Sequence, residues 1–200
     1  DAEGHAINSV VHLLTRPSEN PALDIDQDLL LERVLRKHPD VIGVGEMRSA
    51  KEALSVAESS RTGHTVVTTI HSNSAESTYR RMMTLAKRKY NMADEILMQI
   101  MVEAYPIVVF TKQLEDGSRR TMQIIEGEDY KDGELIFHPL YQFDVTDNIT
   151  DAYGNITVIG SHKKLGGISD NLKRRMLDNG VPAGKLKPFL PDAPCKEGGK

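Results

Sequence analysis

The first half of the chain alternates short apolar runs with helical patterns. Val41–Gly45 and Thr65–Ile70 are apolar or β-branched almost throughout, which is typical of strands buried in a parallel sheet. Between them, Ser49 and Glu52 have the spacing of a capping box, which predicts a helix over Ala50–Ser60. Because a strand–helix–strand crossover normally gives parallel strands, we expect the two strands to end at the same edge of one sheet.

Polar residues ahead of helical patterns predict where further helices begin. Asp26 is expected to cap a helix that Pro39 ends, because the residue before a proline avoids the helical conformation. Asn73 and Asn91 are expected to cap the next two helices. A short strand is predicted near Ser9–Leu14.

After Pro106 the pattern changes to runs that are typical of strands. These runs are Ile107–Lys112, Arg119–Ile125 and Glu134–Phe143, and Asp-Gly pairs, which favour hairpin turns, separate them. The second half therefore predicts an antiparallel meander that follows an alternating β/α part.

The predicted fold class is α/β, with parallel strands and helices, then an antiparallel β-meander and a small helical tail. The expected domains are residues 1–105, 106–143 and 144–200. The last of these is expected to hold a polar linker and a helix that starts at Ser169 and stops at Gly180.

Composition narrows the class of protein. The chain carries 25 Lys and Arg against 29 Asp and Glu, a net charge of −4, which argues against a dedicated nucleic-acid binder. The single cysteine, Cys195, excludes an internal disulfide framework and fits a reducing compartment.

No run approaches the ~20 apolar residues of a membrane span, and no secretory leader is recognisable. The chain begins with Asp1 rather than Met, which suggests a fragment or a processed product.

Two residues at strand ends are candidates for chemistry. Glu46 and His71 each follow a predicted strand directly, and the carboxyl edge of a parallel sheet is where ligands bind. A glutamate there can orient and deprotonate an attacking water; the alternative is an acid that begins a surface loop. His64 lies at the other end of the second strand, ~20 Å from His71, so the two cannot share a metal ion. We expect no metal site, since metal-binding spacings are absent, and a capping or packing role is the alternative for His64.

Two blocks together closely resemble the secretion-superfamily ATPases, which drive type II and type IV secretion and the assembly of type IV and tight-adherence (Flp) pili. The block Arg36–Arg48, RKHPDVIGVGEMR, resembles their Walker B segment, and Thr62–Ser74, TGHTVVTTIHSNS, resembles their histidine box. Two details of these blocks are similar to the CpaF/TadA branch of the family. They are the sequence of Thr69–Asn73, TIHSN, and the serine, Ser49, that follows the Glu-Met-Arg triplet. The match covers Leu29 to Arg88.

The resemblance implies a RecA-like ATPase domain that forms homo-hexameric rings and hydrolyses ATP with Mg²⁺. It implies catalytic roles for Glu46, His71 and Arg16, the last as a compensating charge for phosphate or as a structural residue. It implies that Gly45, Arg48 and His64 contribute to cofactor binding. Gly45 stands where ordinary P-loop proteins have the aspartate that holds Mg²⁺.

The resemblance also implies a location and partners. It implies a cytoplasmic protein held peripherally at the inner face of the cytoplasmic membrane by secretion or pilus platform proteins, with no nucleic acid expected. The phosphate loop GxxxxGK[ST] is absent, so the chain resembles the C-terminal part of such an ATPase and is expected to be inactive alone. The alternatives are a non-catalytic α/β assembly or docking module, and a relative that transports DNA in conjugation.

Overall fold

The computed structural model describes residues 10–191, which form two sheets, helices packed against both, and a helical tail. The first part contains a 3₁₀ turn at Pro21–Leu23, α1 (Gln27–Leu35), β1 (Val41–Val44), α2 (Ala50–Arg61), β2 (Thr65–Thr68), α3 (Ala75–Lys87) and α4 (Asp94–Ala104). The second part contains β3 (Ile107–Gln113), β4 (Arg119–Lys131), β5 (Glu134–Thr150), β6 (Ile156–Lys164), α5 (Asp170–Asp178), α6 (Ala183–Leu186) and a 3₁₀ turn at Lys187–Phe189. The α/β fold class is confirmed.

β1 and β2 pair in parallel, as predicted. Val41 lies opposite Thr65, and Val44 lies opposite Thr68, so both strands end at the same edge. The capping box of Ser49 is present at the start of α2, the helix that crosses between them. Ile42 and Val44 are buried, while the alternate positions of both strands are exposed.

The second sheet is antiparallel, with the strand order β3-β4-β5-β6. It shares one core with the parallel sheet, because Ile125 of β4 is buried in the same cluster as residues of α2, α3 and α4. The prediction of a polar linker that begins at residue 144 is wrong. Asp144–Thr150 continue β5, and β6 pairs with them. Both faces of this ribbon are largely exposed, so polar residues are compatible with a strand there. The division into three domains stays a prediction.

Three local predictions differ from the structure. Ser74, not Asn73, caps α3, and Ala93 precedes α4 without a side-chain cap in place of Asn91. Residues 10–14 form no strand, and Ser9, like Cys195, lies outside the described residues. Asp26 and Ser169 cap α1 and α5 as predicted. Within residues 10–191, no helix is long and apolar enough to cross a membrane.

Candidate active site

Two hydrogen bonds tie together the chain segments that leave β1 and β2. The backbone N–H of Met47 donates to the carbonyl oxygen of Thr69 at 2.8 Å. The hydroxyl of Thr69 donates to the carbonyl oxygen of Gly45 at 2.6 Å. The residue between Gly45 and Met47 is Glu46, so its backbone is fixed on both sides against the end of β2.

This tie brings Glu46, His71 and Arg48 together at the carboxyl edge. Nε2 of His71 lies 3.4 Å from Oε1 of Glu46, and Nη2 of Arg48 pairs with the other carboxylate oxygen. The Glu46 side chain is 23% exposed, whereas the His71 side chain is 91% exposed. The acid therefore lies at the base of the cluster, and the histidine projects into solvent beside it.

The cluster keeps the Glu46 carboxylate ionised. The hydrogen bond from Arg48 lowers the pKa of Glu46 below its usual value, and the nearby positive charge of Arg48 and the charge of His71 when protonated act in the same direction. An ionised carboxylate is acceptor-only, and its oxygen beside His71 can accept a hydrogen bond from water.

The start of α2 holds the backbone of Arg48 in place. The carboxylate of Glu52 accepts hydrogen bonds from the backbone N–H groups of Arg48, at 2.6 Å, and of Ser49, at 2.8 Å. These are charge-assisted bonds at a helix N-terminus, which is a stabilising arrangement. Arg48 therefore extends from a fixed backbone towards Glu46.

Gly45 leaves open space beside the acid. Its φ is not positive, and a Cβ built on it would have no atom within 4 Å. The fold itself therefore does not require glycine here, and the edge is open at this point. Mg²⁺ commonly binds through one or two carboxylates together with phosphate oxygens and waters, and Glu46 supplies one carboxylate. Within residues 10–191, no cluster of three or more potential metal ligands exists.

The structure places His64 at the other end of β2 from this edge. His64 lies before β2, with Nδ1 3.3 Å from the carbonyl oxygen of Ser59 in α2, which agrees with a capping role. The Arg16 backbone pairs with Ile25, and among the described residues no hydrogen bond or ion pair joins its side chain to the acid or histidine of the edge. The nucleotide roles predicted for both residues stay predictions.

Sequence reasoning missed Thr69. Its hydroxyl contributes one of the two bonds that hold the strand ends together. Thr69 is a polar, β-branched residue one position beyond β2, level with Gly45, which lies one position beyond β1, and this is the signal that could have identified it.

The sequence matches the model of the family described as "Type II/IV secretion system protein" over residues 3–113, more than half of its length. The chain belongs to this family.

Several curated relatives carry names from secretion, pilus assembly and conjugation. The "Protein transport protein HofB homolog" of Haemophilus influenzae is 35% identical over 40% of this chain and 18% of its own length. The "Type IV pilus assembly ATPase PilB" of Pseudomonas aeruginosa is 36% identical over 38% of this chain and 14% of its own length. The "Conjugal transfer protein TrbB" of Rhizobium radiobacter is 34% identical over 54% of this chain and 32% of its own length. The chain thus spans about a third of the length of the conjugal transfer protein and less than a fifth of the length of the other two relatives.

Among solved structures, the ATPase DotB of Yersinia pseudotuberculosis aligns with 80% of this chain and 30% of its own, at 16% identity and a TM-score of 0.39. The Legionella pneumophila DotB ATPase aligns with 78% of this chain at 17% identity and the same TM-score. At this level of similarity, no detail of those structures transfers to this chain.

Proposed function

We propose that this chain is the C-terminal part of a motor ATPase of the type II/IV secretion family, and that the edge formed by β1 and β2 is its hydrolytic site. The observation that carries the proposal is the cluster of an ionised glutamate, a histidine and an arginine at the joined carboxyl ends of two parallel strands. In parallel sheets this edge binds ligands. Membership of the family supports the nucleotide as that ligand.

Each residue of the cluster has a role in this proposal. Glu46 accepts a hydrogen bond from the attacking water through the oxygen beside His71 and takes up its proton as the water attacks. Arg48 holds the second oxygen, which fixes the orientation of the carboxylate. His71 lies on the solvent side of Glu46, where it can contact the terminal phosphate of ATP. Gly45 has no side chain and leaves room for that phosphate. When bound, Mg²⁺ and ATP supply the phosphoryl group and the charge that neutralises it.

The oligomeric state, the partners and the branch of the family are inferred from the resemblance of the Walker B and histidine-box segments to the secretion-superfamily ATPases. We infer a homo-hexamer that couples hydrolysis to export or pilin assembly, docked on platform proteins at the cytoplasmic face of the inner membrane. The sequence from Thr69 to Asn73, together with Ser49, supports the CpaF/TadA branch of tight-adherence pili. Arg16 and His64 enter the proposal only as candidates for phosphate contact in the assembled ring.

The test is Glu46→Gln in the longer protein that contains this chain. Glutamine keeps the size of the side chain but cannot take up the proton, so we expect turnover to fall about 10²–10⁴-fold while Mg-ATP binding stays near normal. Glu58→Gln is the matched control, because Glu58 is a solvent-exposed carboxylate at the far end of α2. His71→Ala should lose less than Glu46→Gln, because water can partly replace a positioning group.

Two results would count against this function. Retention of more than about a tenth of wild-type turnover by Glu46→Gln, with an inactive His71→Ala, would remove the role of base from Glu46. A longer protein that binds no nucleotide would favour the alternative, a non-catalytic α/β module for ring assembly or docking.

A further inference from the structure

His71 lies on a short segment that belongs to no strand or helix. β2 ends at Thr68, and α3 begins at Ala75. Among residues 10–191, no backbone hydrogen bond is made by residues 70–73. The His71 side chain is 91% exposed, so contacts with the core do not fix it either. Its position at the edge beside Glu46 therefore depends on how the segment is tied at its two ends.

Two ties flank His71. The hydrogen bonds of Thr69 fix the chain two residues before it. One residue after it, the hydroxyl of Ser72 lies 2.7 Å from the hydroxyl of Thr78 in α3. Because α3 packs with α2 and α4 in the core, this second tie joins the histidine segment to a rigid element.

Both protons of this hydroxyl pair have an acceptor. Each hydroxyl also lies within hydrogen-bond distance of the carbonyl oxygen of Ser74, at 3.1 Å for Ser72 and 3.0 Å for Thr78. One hydroxyl donates to the other while the second donates to this carbonyl, so neither proton is left unpaired. Ser74 also caps α3. The pair and the cap thus form one hydrogen-bonded unit at the start of the helix.

Thr78 is the exception on the buried face of α3. It is 5% exposed, whereas the other buried residues of this helix are alanine, leucine, methionine or tyrosine. A buried hydroxyl costs free energy unless it is hydrogen-bonded. The bond to Ser74 is a local one, and exposed Thr84 makes the same bond to the carbonyl oxygen of Arg80 at 2.7 Å. The contact with Ser72 is what distinguishes Thr78.

We propose that Ser72 and Thr78 are positioning residues, which hold His71 at the edge beside Glu46 for contact with the terminal phosphate. This inference rests on the proposed function, since it gives the pair a role in that reaction. The two residues act through the backbone of His71, which lies between the two ties. Without the second tie, the segment is attached only at its Thr69 end.

Backbone ¹⁵N relaxation in the 200-residue chain tests whether the pair holds His71. Thr78→Val keeps the shape of the side chain but cannot bond Ser72, whose hydroxyl still has the Ser74 carbonyl as an acceptor, so the variant should fold. The order parameter of the His71 amide should fall from about 0.85, a rigid value, to about 0.6 or below. Thr84→Val is the matched control, because it removes a hydroxyl from the same helix that has no link to the segment. An unchanged order parameter in Thr78→Val, or a value already below about 0.6 in the unaltered chain, would overturn the proposal.

Ser72→Ala is a second variant for the same bond. It removes the other hydroxyl of the pair, while the Thr78 hydroxyl keeps the Ser74 carbonyl as its acceptor. Its effect on the order parameter of His71 should equal that of Thr78→Val, and the double variant should add nothing, because all three break one bond. Additive effects would mean that the two hydroxyls act independently and would overturn the pair.

Turnover in the longer protein tests whether this holding serves the reaction. A net hydrogen bond changes the population of a conformation roughly fivefold, so Thr78→Val should lower kcat by about twofold to fivefold. In the His71→Ala background the same change should have no further effect, because no imidazole is left to position. Thr78→Ser, which keeps the hydroxyl, should restore turnover, and Thr84→Val should leave it unchanged. An equal loss from Thr78→Val in both backgrounds would show a merely structural role and would overturn the proposal.

The order parameters do not depend on turnover, so the two proposals fail separately. Loss of order at His71 in Thr78→Val, with a longer protein that hydrolyses no ATP, would keep the tie and reject the proposed function. An unchanged order parameter, with a longer protein whose turnover depends on Glu46, would keep the proposed function and reject this inference.

Discussion

The attachment of the C-terminal tail to the sheet gives the sharpest stability prediction. Glu126 of β4 is 2% exposed, and its carboxylate accepts hydrogen bonds from the backbone N–H of Ser169 at 2.7 Å and from the Ser169 hydroxyl at 2.6 Å. The same hydroxyl accepts a bond from the N–H of Leu172 and so caps α5. One serine thus both starts a helix and satisfies the hydrogen-bonding capacity of a buried carboxylate.

The cost of Ser169→Ala follows from these two roles. Loss of an N-cap costs about 1 kcal/mol. Loss of a hydrogen bond to a buried charged group costs about 1.5–3 kcal/mol, because the Glu126 carboxylate keeps only one of its two partners. We therefore expect the free energy of unfolding to fall by about 2.5–4 kcal/mol. Ser49→Ala is the matched control, since Ser49 caps α2 from an exposed position, and it should cost only about 1 kcal/mol.

Urea unfolding of the 200-residue chain measures both values, and hydrogen exchange in α5 shows whether the tail opens separately. The difference between the two alanine variants should exceed about 1 kcal/mol. Equal costs for Ser169→Ala and Ser49→Ala would refute the reasoning, because they would mean that the Glu126 carboxylate does not depend on its bond to the hydroxyl.

Two further predictions concern the active-site charge and the packing between helices and sheet. Arg48→Ala should raise the pKa of Glu46 towards its usual value, because the hydrogen bond from Arg48 is the largest cause of its lowering; a carboxyl-carbon NMR titration measures this, and an unchanged pKa would contradict it. Gly127→Ala should destabilise the fold by about 1–3 kcal/mol, because a Cβ would lie 2.4 Å from the hydroxyl oxygen of buried Tyr79. Gly43→Ala, which meets nothing within 4 Å, is the control in the same unfolding assay, and an equal loss in both variants would refute the contact.

The parallel pair could be predicted from the sequence because its signals agree. β-branched runs, a capping box and a crossover all point to β1 beside β2, and the structure has this register. The first two hairpins of the antiparallel sheet could also be predicted from the sequence. Gly117 and Gly133 adopt positive φ at the turns that the Asp-Gly pairs indicate.

The β5–β6 ribbon could not be predicted by the same reasoning. Residues 144–150 pair only with β6 and are exposed on most positions, so no buried face imposes a hydrophobic alternation on them. The prediction of the residue that caps α3 was wrong for another reason. Asn73 and Ser74 are adjacent polar residues, and the backbone conformation, which local propensity does not determine, selected the second.

The pairing of Glu46 with Arg48, which the strand pattern did not predict, constrains what the acid can do. A general base is most effective when its pKa lies near the working pH, whereas the hydrogen bond from Arg48 moves the pKa of Glu46 in the opposite direction. The carboxylate is therefore always ready to accept a hydrogen bond from water but has a weak tendency to keep a proton. Glutamine retains a carbonyl oxygen that can accept such a bond. If orientation of water dominates, Glu46→Gln should lose turnover near the lower end of the 10²–10⁴ range, and Glu46→Ala, which cannot orient water, should lose more.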